Sequence, residues 1–181
     1  SPATIVNEDN VINTSHGRFN TDNKSAVLLD RSVIEQNEGD NRITGDSIIY
    51  ESQSGHMEGF GDVIINNFKD KVDARGEYVY YNSENDSAVI TGKALLIEYS
   101  AGDSMFVHAD TFRLVTFYNE ARDSVVERQM RGFHKVRAYR IDMQMVADSM
   151  VFTTRDSSLT LYSDPILWNE ENQILGEKII F

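Results

Sequence analysis

Apolar residues in this chain come in short alternating runs, broken by turns rich in Ser, Asn and Gly. Residues 44–99 carry the pattern twice. The first copy reads Gly45-Asp46-Ser47-Ile48-Ile49-Tyr50, a polar turn, then Gly61-Asp62-Val63-Ile64-Ile65. The second reads Gly76-Glu77-Tyr78-Val79-Tyr80-Tyr81, a polar turn, then Gly92-Lys93-Ala94-Leu95-Leu96-Ile97. Gly45 corresponds to Gly76, Tyr50 to Tyr81 and Gly61 to Gly92, each displaced by 31 positions. A fixed period in this range marks a repeat architecture, and each unit reads as strand, turn, strand. A lone hairpin leaves its apolar face in water, so the units must pair and stack. The prediction is an elongated all-β protein of stacked antiparallel hairpin repeats around a shared interior.

Residues 1–11 read as a polar, frayed lead-in, and a degenerate first copy runs from Ile12 through Ala26-Val27-Leu28-Leu29. Third and fourth copies open at Ala109-Asp110-Thr111-Phe112 and Ala147-Asp148-Ser149-Met150-Val151-Phe152. Between them lies a polar insert, residues 119–124. Residues 127–131 contain good helix formers, but the alternation through residues 132–140 favours strand. In the stretch Asp164-Pro165-Ile166-Leu167-Trp168, Pro165 reads as replacing the turn glycine. Residues 176–181 begin a fifth opening strand, so the expectation is a piece of a longer array or an edge that seeks a partner. Along residues 94–99, Leu95, Ile97 and Tyr99 oppose Ala94, Leu96 and Glu98, and the first set is assigned to the interior. With the other copies this predicts an interior lined by Ile48, Tyr50, Val63, Ile65, Leu95, Ile97, Phe112, Leu114, Met150 and Phe152. A slip of one residue would exchange the faces.

Net charge changes the picture by exclusion. The chain carries 17 basic and 29 acidic residues, a balance of −12. That argues against nucleic acid and against simple attraction to an anionic membrane. With no cysteine, disulfides, thiolate metal sites and Cys nucleophiles are excluded. No apolar run reaches the length of a membrane-spanning helix.

The candidate chemistry is sparse. His16, His56, His108 and His134 show no ligand spacing that would converge on a metal. No carboxylate pair stands out, and no nucleophile elbow, phosphate loop or dinucleotide fingerprint occurs. The recurring Asp46, Asp110 and Asp148 read as turn or strand-edge residues bonding local backbone. Arg122, Arg128, Arg131, Lys135, Arg137 and Arg140 form one basic band in an acidic chain. It reads either as contacts to an anionic headgroup, with Arg131, Lys135 and Arg137 foremost, or as charges that protect an edge strand from pairing.

The unit Ala-Asp-x-apolar, polar turn, apolar-x-Gly-x-apolar resembles the OstA-like family. The stretches that carry the resemblance are residues 44–50 with 59–63, 107–112 and 146–152, and it spans residues 12–181; the insert and Pro165 depart from it. Residues 164–170 are similar to the larger OstA-like proteins. The resemblance implies a twisted, open β-jellyroll with an apolar interior and no enzymatic activity or cofactor. It implies a protein of the Gram-negative periplasm, extending to outer-membrane association. There it would carry lipopolysaccharide or its lipid A part, with acyl chains inside. It would join other transport proteins, or copies of itself head to tail, through edge strands. Each acyl CH₂ removed from water contributes roughly 0.8 kcal/mol, so an apolar groove outweighs any headgroup contact. The alternative of another class is a filled, ligand-free β scaffold assembling through its edges. A carbohydrate-active β-solenoid would need clustered carboxylates or aromatics on one outer face, and the sequence shows no such cluster.

Overall fold

Alternating runs separated by Asn-, Gly- and Ser-rich turns fold as one antiparallel sheet in the computed structural model, which describes residues 3–6, 10–51, 53–100 and 102–181. Its strands in chain order are β1 (Ala3–Val6), β2 (Asn10–Thr14), β3 (Gly17–Asn20), β4 (Ser25–Leu28), β5 (Ser32–Gln36), β6 (Asn41–Gly45) and β7 (Ser47–Glu51). The long strands follow: β8 (His56–Asn67), β9 (Val72–Asn82), β10 (Ser87–Glu98), β11 (Met105–Tyr118), β12 (Val125–Arg140) and β13 (Met143–Thr153). The last four are short: β14 (Leu159–Tyr162), β15 (Ile166–Asn169), β16 (Asn172–Leu175) and β17 (Lys178–Ile180). Residues 3–6, within the stretch predicted as a lead-in, pair with β2 as an outermost strand. Residues 127–131 are strand.

Each long strand is broken in register near its middle, and the break divides the sheet into two walls. In β8, β10 and β12 it coincides with two consecutive left-handed residues: Gly61 and Asp62 (φ 70° and 41°), Gly92 and Lys93 (76° and 55°), His134 and Lys135 (62° and 54°). Ser163 and Asp164 (64° and 56°) do the same between β14 and β15. Such bulges bend a strand sharply. The pairs align along one fold line, so the predicted Gly61–Gly92 correspondence marks equivalent bends. Alignment on these pairs corrects the reading of Pro165. The glycine position is taken by Ser163, and Pro165, fully buried, occupies the inward slot of Val63, Ala94 and Val136.

Wall 1 runs β3, β4, β7, then residues 56–60, 78–82, 87–91, 111–118, 125–133 and 149–153 of the long strands, then β14 and β17. Wall 2 runs β1, β2, β5, β6, then residues 63–67, 72–76, 94–98, 105–109, 136–140 and 143–147, then β15 and β16. Where the walls meet they touch: a Cβ on Gly76 of wall 2 would lie 2.7 Å from the Ile90 Cγ2 of wall 1. The walls diverge from the fold line to two lips made by the hairpin turns, giving an open, V-shaped β-jellyroll.

Cross-strand pairing puts the apolar residues in rows along the V. On wall 1, Leu28, Ile48, Val79, Ile90, Phe112, Met150 and Leu161 form the row beside the fold line, all buried. Nearer the lip run Ala26, Tyr50, Met57, Tyr81, Ala88, Leu114, Met130, Phe152 and Leu159. On wall 2 the matching outer row is Ile12, Ile34, Ile43, Ile65, Ala74, Leu96, Val107, Ala138, Met145 and Leu167. Ile48, Tyr50, Val63, Ile65, Phe112, Leu114, Met150 and Phe152 therefore face inward. Leu95 and Ile97 do not. Ala94 is fully buried and Leu96 packs on the core, so by alternation Leu95 and Ile97 stand on the outer face of wall 2. The reason is the bend: Gly92 and Lys93 repeat Gly61 and Asp62, so Ala94 and Leu96 take the inward slots of Val63 and Ile65, 31 positions earlier.

Candidate lipid-binding interior and its rims

The interior has two zones. At the apex Ile48, Val63, Val79, Ala94, Ala109, Phe112 and Val136 are fully buried; the protein's own side chains fill the base of the V. Toward the lips the lining is mixed: Tyr50, Ile65, Ala74, Tyr81, Leu96, Val107, Met130 and Leu159 are half-buried and pack on the core, whereas Ile12, Ala26, Ile34, Ile43, Met57, Ala138, Met145 and Leu167 are buried. Phe152 is 36% exposed on this face.

The lips are polar, and differently so. At the first part of wall 2, Asn10, Gln36, Asn41 and Asn67 stand in register beyond the apolar rows, and Gln36 Nε2 donates to Asn10 Oδ1 at 2.9 Å. At the lip of wall 1, Asp86 collects a cluster. Arg128 donates to Asp86 Oδ2 from Nε and Nη2 at 3.0 Å each. Thr116 Oγ1 donates to Asp86 Oδ2 at 3.1 Å, and the Tyr81 hydroxyl to Oδ1 at 3.4 Å. Burial, with Asp86 alongside, pushes the Tyr81 hydroxyl up to about 12.

Along the outside of the fold line runs a ladder of ion pairs. Arg31 bonds Asp46 at 2.9 Å and Asp62 at 3.0 Å; Lys93 bonds Glu77 at 2.9 Å; Lys135 lies 3.2 Å from Asp110; His134 lies 3.4 Å from Asp148. The recurring Asp46, Asp110 and Asp148 thus pair with the side chains of Arg31, Lys135 and His134 across strands rather than with local backbone. The Lys93 ammonium holds the Glu77 carboxyl below its usual range, and Glu77 holds Lys93 above its own.

The predicted basic band does not come together. Arg131 is on the outer face of wall 1, hydrogen-bonded to Gln129 Oε1. Lys135 belongs to the fold-line ladder. Arg137 is on the outer face of wall 2, and Arg128 and Arg140 are tied to Asp86 and Asp142. The histidines are equally scattered: His56 bonds the Asn82 side chain at 2.9 Å on wall 1 and His134 is on the fold line. Among the described residues, no three His, Cys, Asp or Glu side chains gather as metal ligands would.

Sequence reasoning missed a groove on the outer face of wall 2. It encloses about 310 Å³ and is lined by Leu95, Phe106, His108, Arg137, Tyr139 and Trp168, among others. The signal was the apolar character of both faces at residues 94–97, read as a choice of face rather than as two occupied faces.

No known family profile matches the sequence, and no curated protein matches it. Among solved structures, the fold is similar to the crystal structure of LptH from Pseudomonas aeruginosa, the LptA-homologous periplasmic component of the conserved lipopolysaccharide transport device. The match has a TM-score of 0.52 and 13% identity, over 67% of this chain and 81% of that one. The two-walled sheet described above is accordingly an LptA-like fold.

Proposed function

We propose that the protein is a non-catalytic carrier of lipopolysaccharide, acting in the periplasm and extending to the outer membrane. The observation that carries this reading is the continuous apolar interior, whose lip-side rows are partly open, as at Tyr50, Ile65, Leu96, Leu114 and Phe152. The likeness to a periplasmic lipopolysaccharide-transport component supports it. Acyl chains lie between the lip-side rows, against Tyr50, Ile65, Leu114 and Phe152, with Leu96 in the place first given to Leu95. Ile48, Val63, Phe112 and Met150 take part as the walls part. At roughly 0.8 kcal/mol per buried CH₂, a few turns of acyl chain suffice for binding without any charged contact. Arg131, Lys135 and Arg137 lie on separate surfaces, so a headgroup meets one of them at a time. Among the described residues, β1 and β3 at one end, and β16 and β17 at the other, each pair with a single strand. They suit end-to-end pairing with other transport proteins or with further copies.

The filled apex favours a second reading, a ligand-free scaffold. Displacement of a fluorescent fatty-acyl probe by purified lipid A separates the two. The carrier binds the probe saturably and loses it to lipid A, and Leu114→Asp with Phe152→Asp abolishes binding. A folded wild-type protein that never takes up the probe is the scaffold.

A further inference from the structure

The groove outside wall 2 gathers aromatic, amide, imidazole and guanidinium side chains in one concavity. Phe106 and Tyr139 are neighbours across β11 and β12, 40% and 52% exposed, and Trp168 pairs with Gln144 one strand further on. Aromatic rings thus line the groove beside amide, imidazole and guanidinium donors. Arg137 sits between His108 and Val146 in register, and no carboxylate pairs with it among the described residues. In a chain of net charge −12, a guanidinium left free beside aromatic rings is complementary to an anion. Rings stack on apolar C–H faces, while guanidinium, imidazole and amide groups bond hydroxyls and anionic oxygens. A ligand with one apolar face, a hydroxylated edge and a phosphate or carboxylate meets all of these. The volume is at the small end of small-molecule sites, suited to one or two sugar rings.

We infer that this groove binds the anionic sugars of the same glycolipid whose acyl chains lie inside. The geometry supports that source. Phe106, Tyr139 and Trp168 each lie a few residues from the hairpin turns at the wall 2 lip, so a headgroup leaving the interior over that lip meets the groove first. The source of the sugar rests on the carrier reading; the recognition of an anionic saccharide does not.

Trp168 is the chain's single tryptophan, so its fluorescence reports the groove directly. The probe is the phosphorylated core oligosaccharide released from lipopolysaccharide by mild acid, free of acyl chains. The expected result is a saturable change in Trp168 emission. Arg137→Gln or enzymatic dephosphorylation weakens it about tenfold or more, the worth of one charge-assisted hydrogen bond, whereas Phe60→Ala on wall 1 leaves it unchanged. Amide shifts in an NMR titration, centred on residues 106, 139 and 144, confirm the location. Equal affinity in Arg137→Gln, no response by either method, or a concentration-dependent dimer lost in Tyr139→Ala would each overturn the inference. Acyl-probe binding in the same variants keeps the two readings apart. Probe uptake without oligosaccharide binding removes only the groove, and oligosaccharide binding without probe uptake upholds the groove as a saccharide site while removing the carrier.

Discussion

Gly92 and Lys93 occupy the same bend as His134 and Lys135, with nearly the same positive φ values. A side chain in left-handed conformation costs roughly 1–2 kcal/mol relative to glycine. At Gly92 an added Cβ would also lie 2.7 Å from the Glu77 Cβ. Gly92→His is therefore expected to lower unfolding free energy by about 2 kcal/mol, and His134→Gly to hold or raise it by up to about 1 kcal/mol; paired urea titrations check both. Tyr81 gives a second residue-scale expectation. Its folded pKa of about 12 exceeds the ordinary tyrosine value. Its contribution is therefore complete below about pH 10 and is lost as pH rises toward 12. Ultraviolet titration should show late-ionising tyrosines, Tyr81 and Tyr78 among them, since Tyr78 is also raised to about 12 by burial and Glu58. Tyr81→Phe should remove one of them and flatten the alkaline loss of stability.

At the scale of strands, the repeat was legible because its punctuation is structural. Gly45 and Gly76, Tyr50 and Tyr81, and Gly61 and Gly92 hold equivalent places beside the fold line, in the lip-side row and at the bend. Inward positions on Ile48, Phe112 and Met150 followed from alternation alone. Leu95 and Ile97 did not, because alternation gives two faces and bulk does not choose between them; the bend does, and 31 positions after Val63 and Ile65 it puts Ala94 and Leu96 inside. Pro165 was misaligned for a related reason: the bend is specified by two left-handed residues, and Ser163 with Asp164 carry it without glycine. Leu96→Asp is thus expected to destabilise by about 3 kcal/mol or more and Leu95→Asp by about 1 kcal/mol or less, measured by thermal and urea unfolding. The fold-line ladder adds an acid dependence. The folded pKa of Glu77 is depressed by Lys93, so its contribution is present above the usual carboxylate value and disappears as pH falls through the lowered one. The stability difference between the wild type and Lys93→Gln should accordingly be present at neutral pH and vanish once acid has protonated Glu77.

For the whole molecule, the V accounts for apolar residues on both faces of the central strands. One face fills and lines the interior; on the other, the outer surface carries Phe60 with Tyr78 on wall 1 and the Phe106–Tyr139–Trp168 groove on wall 2. The acidic surface and the apolar interior are then parts of one design, with binding energy inside and solubility outside. The central claim is that the lip-side rows, and not the outer face, receive acyl chains. Photo-crosslinking with purified lipopolysaccharide tests it most directly, with a photoreactive amino acid at Leu96, Leu114 or Phe152, and at Leu95 for comparison. Crosslinks to the acyl chains at Leu96, Leu114 and Phe152 but not at Leu95 are the predicted result. Acyl crosslinks at Leu95 alone, or at no position in folded protein, would contradict it.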